Sequence, residues 1–319
     1  MLGRRATMVL AAGSGGALAQ ETWPNRSIRL ISPFPPGGAA DLLARMLAEA
    51  LGGPLGQSVV VENRTGAGGS VGTEAAVRSP ADGYTLVMGS TGPMAINQFL
   101  SRLAFDPERD LTPIVPVAAV QSVLVVHPAV PARTLPELLA LARAEPGRLN
   151  YGSSGIGSAQ HLFMELLKQQ AGVDIAHIPY RGTGPAMVDT VGGRLTMMFD
   201  TTPTALPHIR DGRVRPLAVT AAARDPALPD VPSIGETVPG YEAIGWYGLL
   251  GPAGLPPAVV NRLHREVDGL LARPDFASRL AAQGVEPMRA SPEEFTALIG
   301  RDRARWGEVI RRGNIRADG

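Results

Sequence analysis

From residue 28 to residue 220 short apolar runs alternate with amphipathic segments, and Gly, Pro, Ser and Thr stand at nearly every junction. A run of four or five apolar residues suits a strand covered on both faces. Such strands, separated by amphipathic helices, build α/β layers with a parallel sheet and crossover helices. Strands are expected at 28–31, 59–61, 85–88, 123–126, 149–151, 175–178, 196–199 and 217–220, with a helix over 40–51 after the first. The C-terminal part is helical. Apolar residues keep helical spacing over 257–271, and a shorter helix over 274–283 ends at Gly284. Ser291-Pro292-Glu293-Glu294 then opens a helix expected to run to about residue 312, with a capping serine, proline at the first helical position and glutamate three after the cap. A length of 319 residues is enough for about two domains.

Charge and composition narrow the function. The formal charge is +1, Lys168 is the only lysine, and no basic block occurs. A nucleic-acid partner, which needs a concentrated positive field, is therefore not expected. The absence of cysteine excludes a thiol nucleophile, a cysteine-ligated metal and a lipidated N-terminal cysteine. Arg4 and Arg5 precede an uncharged stretch, and Ala17-Leu18-Ala19 has the A-x-A form of a cleavage site, so residues 1–19 are expected to be a signal peptide. Residues 112–132 carry no charge and are long enough to span a bilayer. Pro113, Pro116, Pro128 and Pro131 each remove a helix donor, so buried strands are the better reading.

The strand-to-helix junctions carry the functional signal. Five share one chemistry: Pro33-Phe34-Pro35-Pro36-Gly37-Gly38-Ala39-Ala40-Asp41, Gly89-Ser90-Thr91-Gly92-Pro93, Gly152-Ser153-Ser154-Gly155-Ile156-Gly157-Ser158, Pro179-Tyr180-Arg181-Gly182-Thr183-Gly184-Pro185 and Asp200-Thr201-Thr202-Pro203. Pro93, Pro185 and Pro203 fall where helices begin, and Ser158 and Thr202 are expected N-caps. Each junction should present free N–H groups and hydroxyls at the positive end of a helix dipole. Ligands of open α/β sheets sit beyond the carboxyl ends of the strands, where such turns form receptors for carboxylate or phosphate. The junctions carry few charges (Asp41, Arg181 and Asp200), so a site of neutral donors is expected, with Arg181 as a supplement.

These residues resemble the Bug-type periplasmic substrate-binding proteins, the receptor component of tripartite tricarboxylate transporters. Pro33-Phe34-Pro35-Pro36-Gly37-Gly38 with Asp41 is similar to the family's first-loop signature. Glu62-Asn63-Arg64-Thr65-Gly66-Ala67-Gly68-Gly69 is similar to its second, with Thr65 where proline is usual. Asp82-Gly83-Tyr84-Thr85, Tyr151-Gly152-Ser153-Ser154-Gly155, His177-Ile178-Pro179-Tyr180-Arg181-Gly182, Leu228-Pro229-Asp230-Val231-Pro232 and the segment 246–256 follow in order, so the resemblance runs from about residue 23 to the end. It implies a two-lobe type II periplasmic binding fold with a ligand cleft between lobes, lobe 1 from 23–121 and 241–319 and lobe 2 from 122–240. It implies a ligand bearing a carboxylate: a di- or tricarboxylate, an acidic amino acid or an aromatic acid. Contacts carried over are Phe34, Gly38, Ala40 and Asp41 in the first lobe and Ser153, Ser154, Ser158, Gly182, Thr183 and Asp200 in the second, with Ser90 and Thr91 beside them. The implied protein is a periplasmic monomer without cofactor, metal or catalytic residue, working with integral membrane transporter subunits or a membrane sensor.

Two enzymatic readings compete. Gly68-Gly69-Ser70-Val71-Gly72 fits G-x-S-x-G, but a nucleophile elbow needs a strand running straight into the serine, and the candidate strand ends near Glu62. Gly66-Ala67-Gly68 followed by Gly72 approximates a dinucleotide fingerprint, yet the next strand ends in Gly89-Ser90-Thr91 rather than an acidic residue. The histidines at 127, 161, 177, 208 and 264 lack H-x-x-x-H spacing.

Overall fold

The computed structural model describes residues 23–316, so the expected signal peptide lies outside the described residues. Two mixed sheets form the framework. The first contains β1 (Ile28–Ser32), β2 (Val59–Asn63), β3 (Thr85–Ser90), β4 (Leu111–Val120), β10 (Gly245–Pro252) and β11 (Glu286–Pro287), in the order β11-β4-β10-β3-β1-β2. The second contains β5 (Ser122–Val126), β6 (Asn150–Ser153), β7 (Ala176–Pro179), β8 (Met197–Thr201) and β9 (Arg215–Val219), in the order β7-β6-β8-β5-β9. The helices are α1 (Ala39–Leu55), α2 (Ser70–Val77), α3 (Leu135–Ala144), α4 (Ala159–Ala171), α5 (Thr183–Val191), α6 (Thr202–Arg210), α7 (Pro257–Leu271), α8 (Pro274–Ala281) and α9 (Pro292–Gly313).

The parallel core is as expected, with β1 parallel to β2 and β3, and β6 parallel to β7 and β8. Neither sheet is wholly parallel, however. β5 runs antiparallel to β8 and β9, and β10 antiparallel to β3 and β4. These are the strands through which the chain changes sheets. β4 ends at Val120, and β5 begins at Ser122 in the other sheet. The chain returns through Ala243 to β10. Thr220 joins both passages: its N–H donates to the Ser122 carbonyl, its hydroxyl accepts from the Ser122 N–H at 2.9 Å, and its carbonyl accepts from the Ala243 N–H at 2.8 Å.

Helix formation follows the apolar spacing. Leu43, Leu47 and Leu51 of α1 lie four residues apart on one face and are buried against the first sheet. The chain leaves α1 through Gly56 in the left-handed region at φ 65°. The capping box of α9 forms as its sequence requires, with the Glu294 N–H donating to the Ser291 hydroxyl at 3.2 Å and the Ser291 N–H to the Glu294 carboxylate at 2.8 Å. α9 serves both sheets. Phe295 packs edge-on to Trp246 in a core of the first sheet, while Trp306 stacks on Phe163 at 5.5 Å in the core of the second. Among the described residues no helix is long and apolar enough to cross a membrane. The uncharged stretch 112–132 forms β4, β5 and the loop after them.

Candidate ligand-binding site

All five junctions contribute to one cavity between the two sheets. The first supplies Phe34, Pro35, Pro36, Gly38, Ala39 and Ala40, and the second supplies Ser90, Thr91 and Gly92. The third supplies Ser154, Ala159 and Gln160, the fourth Thr183 and Gly184, and the fifth Thr201. Val120, Ser122, Phe163, Gly245, Trp246 and Tyr247 complete the wall. The starts of α1, α4 and α5 therefore face one space, and the first N–H groups of a helix have no partner within it. Their dipoles make that space favourable for negative charge. No Asp, Glu, Lys, Arg or His lines the cavity among the described residues.

The uncharged polar side chains on the wall are incompletely paired. Among the described residues, the hydroxyls of Ser90, Ser122, Thr183 and Tyr247 have no hydrogen-bond partner in the protein. Burial, and then the neighbouring Asp200, push the Tyr247 phenol upward from its ordinary value, so it remains a donor. Thr91 accepts from the Trp246 N–H at 3.1 Å, and the Ser154 hydroxyl donates to Gln160 Oε1 at 2.9 Å. Four aromatic rings, Phe34, Phe163, Trp246 and Tyr247, supply the apolar surface. Neutral donors around an apolar middle suit a small organic anion.

Several residues named from the sequence stand behind this wall instead of on it. Asp41 is 4% exposed and accepts from the Gly37 N–H at 3.0 Å, Arg45 at 3.0 Å and Asn63 at 2.8 Å. Burial opposes its charge, but hydrogen bonds from Arg45, Asn63 and the Gly37 N–H hold the carboxyl below its usual range. Asn63 also donates to the Phe34 carbonyl at 2.9 Å, so Asp41 clamps the loop it follows. Ser153 meets His177 Nε2 at 2.7 Å and accepts from the Gly155 N–H at 3.1 Å. Ser158 caps α4 by accepting from the His161 N–H. Gly182, at φ +124°, presses on Pro35 of the opposite loop, where an added Cβ would lie 2.7 Å from the proline Cγ. Asp200 is buried and accepts from the Thr201 N–H at 2.8 Å. Desolvation, against hydrogen bonds from Thr204 and the Thr201 N–H, pushes its carboxyl up to about 7. Arg181 is exposed and lines an adjoining recess that shares Phe34, Pro35 and Ser154 with the cavity. The cap of α6 is Thr201, one residue before the expected Thr202, whose hydroxyl donates to Asp225 at 2.6 Å.

The sequence reasoning missed Ser122, Gln160 and Tyr247. Ser122 and Tyr247 reach the cavity because β5 and β10 carry the chain between sheets, which no local pattern announces. Gln160 carried a local signal: it is the second residue of a serine-capped helix and directly follows a glycine- and hydroxyl-rich turn.

The turn below Gln160 rests on stacked rings, with His161 and His177 centroids 4.1 Å apart and Tyr151 and His177 4.7 Å apart. Gly157 donates its N–H to His161 Nδ1 at 3.2 Å. Desolvation first, then the charge of Lys168, lowers His161 to about 4. Desolvation first, then His161, lowers His177 to about 3, so both rings are neutral at pH 7. Ser70, the candidate nucleophile, opens α2 and is buried, and its hydroxyl accepts from the Asn97 side-chain amide at 2.7 Å. Among the described residues its side-chain partner is thus an amide, whereas a nucleophile requires a base.

Residues 43–315 match the family described as tripartite tricarboxylate transporter family receptor. Protein BugT of Bordetella pertussis is 37% identical over 306 residues, covering 95% of this chain and 94% of that protein. The solved structure of R. palustris Rpa4515 with adipate is 37% identical, superposes with a TM-score of 0.90 and covers 92% of this chain and 99% of its own. MatC from Rhodopseudomonas palustris with bound malate is 31% identical, with a TM-score of 0.86 over 90% of this chain and 100% of its own. The two-sheet framework, the cleft at the helix starts and these matches together place the chain in the tripartite tricarboxylate transporter receptor family, among the Bug-type proteins.

Proposed function

We propose that this protein is an extracytoplasmic solute receptor that holds a small carboxylate in the cleft and delivers it to membrane transporter subunits. The convergence of five strand-to-helix junctions on one cavity whose wall, among the described residues, bears neutral donors and no formal charge carries the reading. Burying an anion against fixed dipoles avoids the desolvation of a second buried ion. That relatives are described with adipate and malate bound supports a carboxylate as the ligand class. Lobe 1 comprises residues 23–121 and 241–319 and lobe 2 residues 122–240, with closure of one on the other as the delivered signal. The receptor acts in the periplasm as a monomer and performs no chemistry on its ligand.

Native mass spectrometry of gently purified protein, followed by a thermal-shift screen of carboxylates and their amides, tests this. A carboxylate at a hundred times its dissociation constant should add about 2.7 kcal/mol of stability, and its amide much less. A cationic or sugar ligand with no response to any carboxylate would refute the proposal.

A further inference from the structure

One polar side chain on the cavity wall has its two ends committed differently. Gln160 is 6% exposed and lines the cavity from the second position of α4. Its Oε1 accepts from the Ser154 hydroxyl at 2.9 Å. Its Nε2 has no protein partner among the described residues. A primary amide whose oxygen is engaged offers two N–H donors at its free end. The amide nitrogen is open to the cavity and not enclosed by protein, so its two donors are available to whatever enters. The orientation agrees with its surroundings. The starts of α1, α4 and α5 favour an anionic occupant, and an inward-facing amide oxygen would turn lone pairs toward that anion.

We infer that Gln160 is the residue by which the cavity reads the charge of its ligand: its amide N–H2, oriented by Ser154, donates to a ligand carboxylate, and an acid at this position would turn the cavity toward ligands that offer N–H groups. The inference rests on the carboxylate reading above. Because no ionisable side chain other than Tyr247 lines the cavity among the described residues, a glutamate at 160 would be the one anionic side chain among them on the wall. Glutamate also nearly matches glutamine in shape and keeps an acceptor for the Ser154 hydroxyl, so the wall should survive the change.

Calorimetric titration of the wild type, Gln160→Glu, Gln160→Leu and Ser154→Ala with adipate, malate and adipamide tests this. Wild type should prefer the acids. Gln160→Leu should weaken them roughly ten- to a hundredfold, the value of a hydrogen bond to a charged group. Ser154→Ala should weaken them about tenfold, because the amide loses its orientation. Gln160→Glu should lose more than Gln160→Leu, prefer adipamide, and regain acid binding between pH 7 and 5 as its carboxyl takes up a proton. Wild type over the same range is the control, since Asp200 behind the wall and His161 beside it are common to both proteins. Adipate and malate bound by Gln160→Glu at the wild-type level would remove the assignment of Gln160 and leave the carboxylate reading standing. A wild type that binds neither acid would bring down that reading, and this inference with it. Gln160→Leu, which introduces no charge, separates loss of a donor from any misfolding of the glutamate variant.

Discussion

The two walls of the cleft show the ligand similar surfaces, neutral donors at helix starts, yet they are held from behind by opposite means. On the first-sheet side the loop before α1 is fixed by ions: Asp41 takes hydrogen bonds from Gly37, Arg45 and Asn63. On the second-sheet side the turn before α4 is fixed by uncharged groups, with Ser153 on His177, the Gly157 N–H on His161, and three rings stacked beneath. Both solutions keep net charge away from the cavity. The carboxylate of the first wall is paired with Arg45, and the histidines of the second are kept neutral by burial. The loops are thus made rigid by groups that, among the described residues, put no charged side chain on the wall itself, but the two supports should fail under different insults.

Removing the charged clamp should have the largest effect on stability. Asp41→Ala leaves the exposed Gly37 N–H and one donor of the half-buried Asn63 without their buried acceptor, and should cost about 2 kcal/mol of unfolding free energy. Denaturant titration measures it, and ligand affinity should fall as well because the Phe34 loop loosens. A loss below about 0.5 kcal/mol would mean that the loop is held by something other than ions, and the contrast between the walls would disappear.

The next effect lies where the walls meet. Gly182 of the second wall sits against Pro35 of the first, with an added Cβ 2.7 Å from Cγ and 2.8 Å from Cδ. Gly182→Val should hold the loops apart and weaken ligand binding about a hundredfold, equivalent to about 2.7 kcal/mol. Its positive φ also costs stability of order 1–2 kcal/mol, independently of the clash. Gly182→Ala combined with Pro35→Ala separates the two, since trimming the proline relieves the clash and leaves the backbone strain. Recovery of affinity in the double variant, without recovery of the melting temperature, is the expected pattern.

Much of this arrangement was legible in the sequence. Turn chemistry located the cleft, because glycine, serine and proline after an apolar run mark a strand end and a helix start wherever the pair falls in space. The Ser158 cap and the Ser291 capping box formed as read. β4 and β10 were harder to see. Pro113 and Pro116 lie within β4, opposite Leu250 and Gly248, and register shifts in this ladder lie beside both pairings. A strand tolerates proline at such irregularities, so the prolines pointed to strands over 112–132 but left open where in that stretch a strand runs, which tertiary pairing decides. Asp41, Ser153 and Asp200 were placed in the right junctions but assigned to the ligand. The sequence locates a side chain to a turn, and only packing decides whether it faces the cavity or braces the loop.

The smallest effect is the one that most directly separates the two walls, and it is read from pH. His161 titrates near 6.5 when unfolded and at about 4 when folded, because burial disfavours the charged ring. Its neutral form therefore contributes fully above pH 6.5, and that contribution is lost as the pH falls toward 4, where only the unfolded chain takes up the proton. The slope is at most about 1.4 kcal/mol per pH unit. Asp41 acts in the same direction in a lower window. Its folded value lies below 3.8, so the first wall loses stabilisation only below that pH. His161→Phe should flatten the stability profile between pH 6.5 and 4 while leaving the more acidic limb unchanged. The Gly157 N–H that loses its acceptor adds a pH-independent offset, and the slope that remains is set by His177, lowered to about 3, against Asp200, whose raised carboxyl acts in the opposite direction. Asp41→Asn should do the reverse, altering the limb below pH 4 and sparing the one above. If both variants moved the same limb, the walls would not be independently supported, and ions and rings would be parts of one cooperative unit across the cleft.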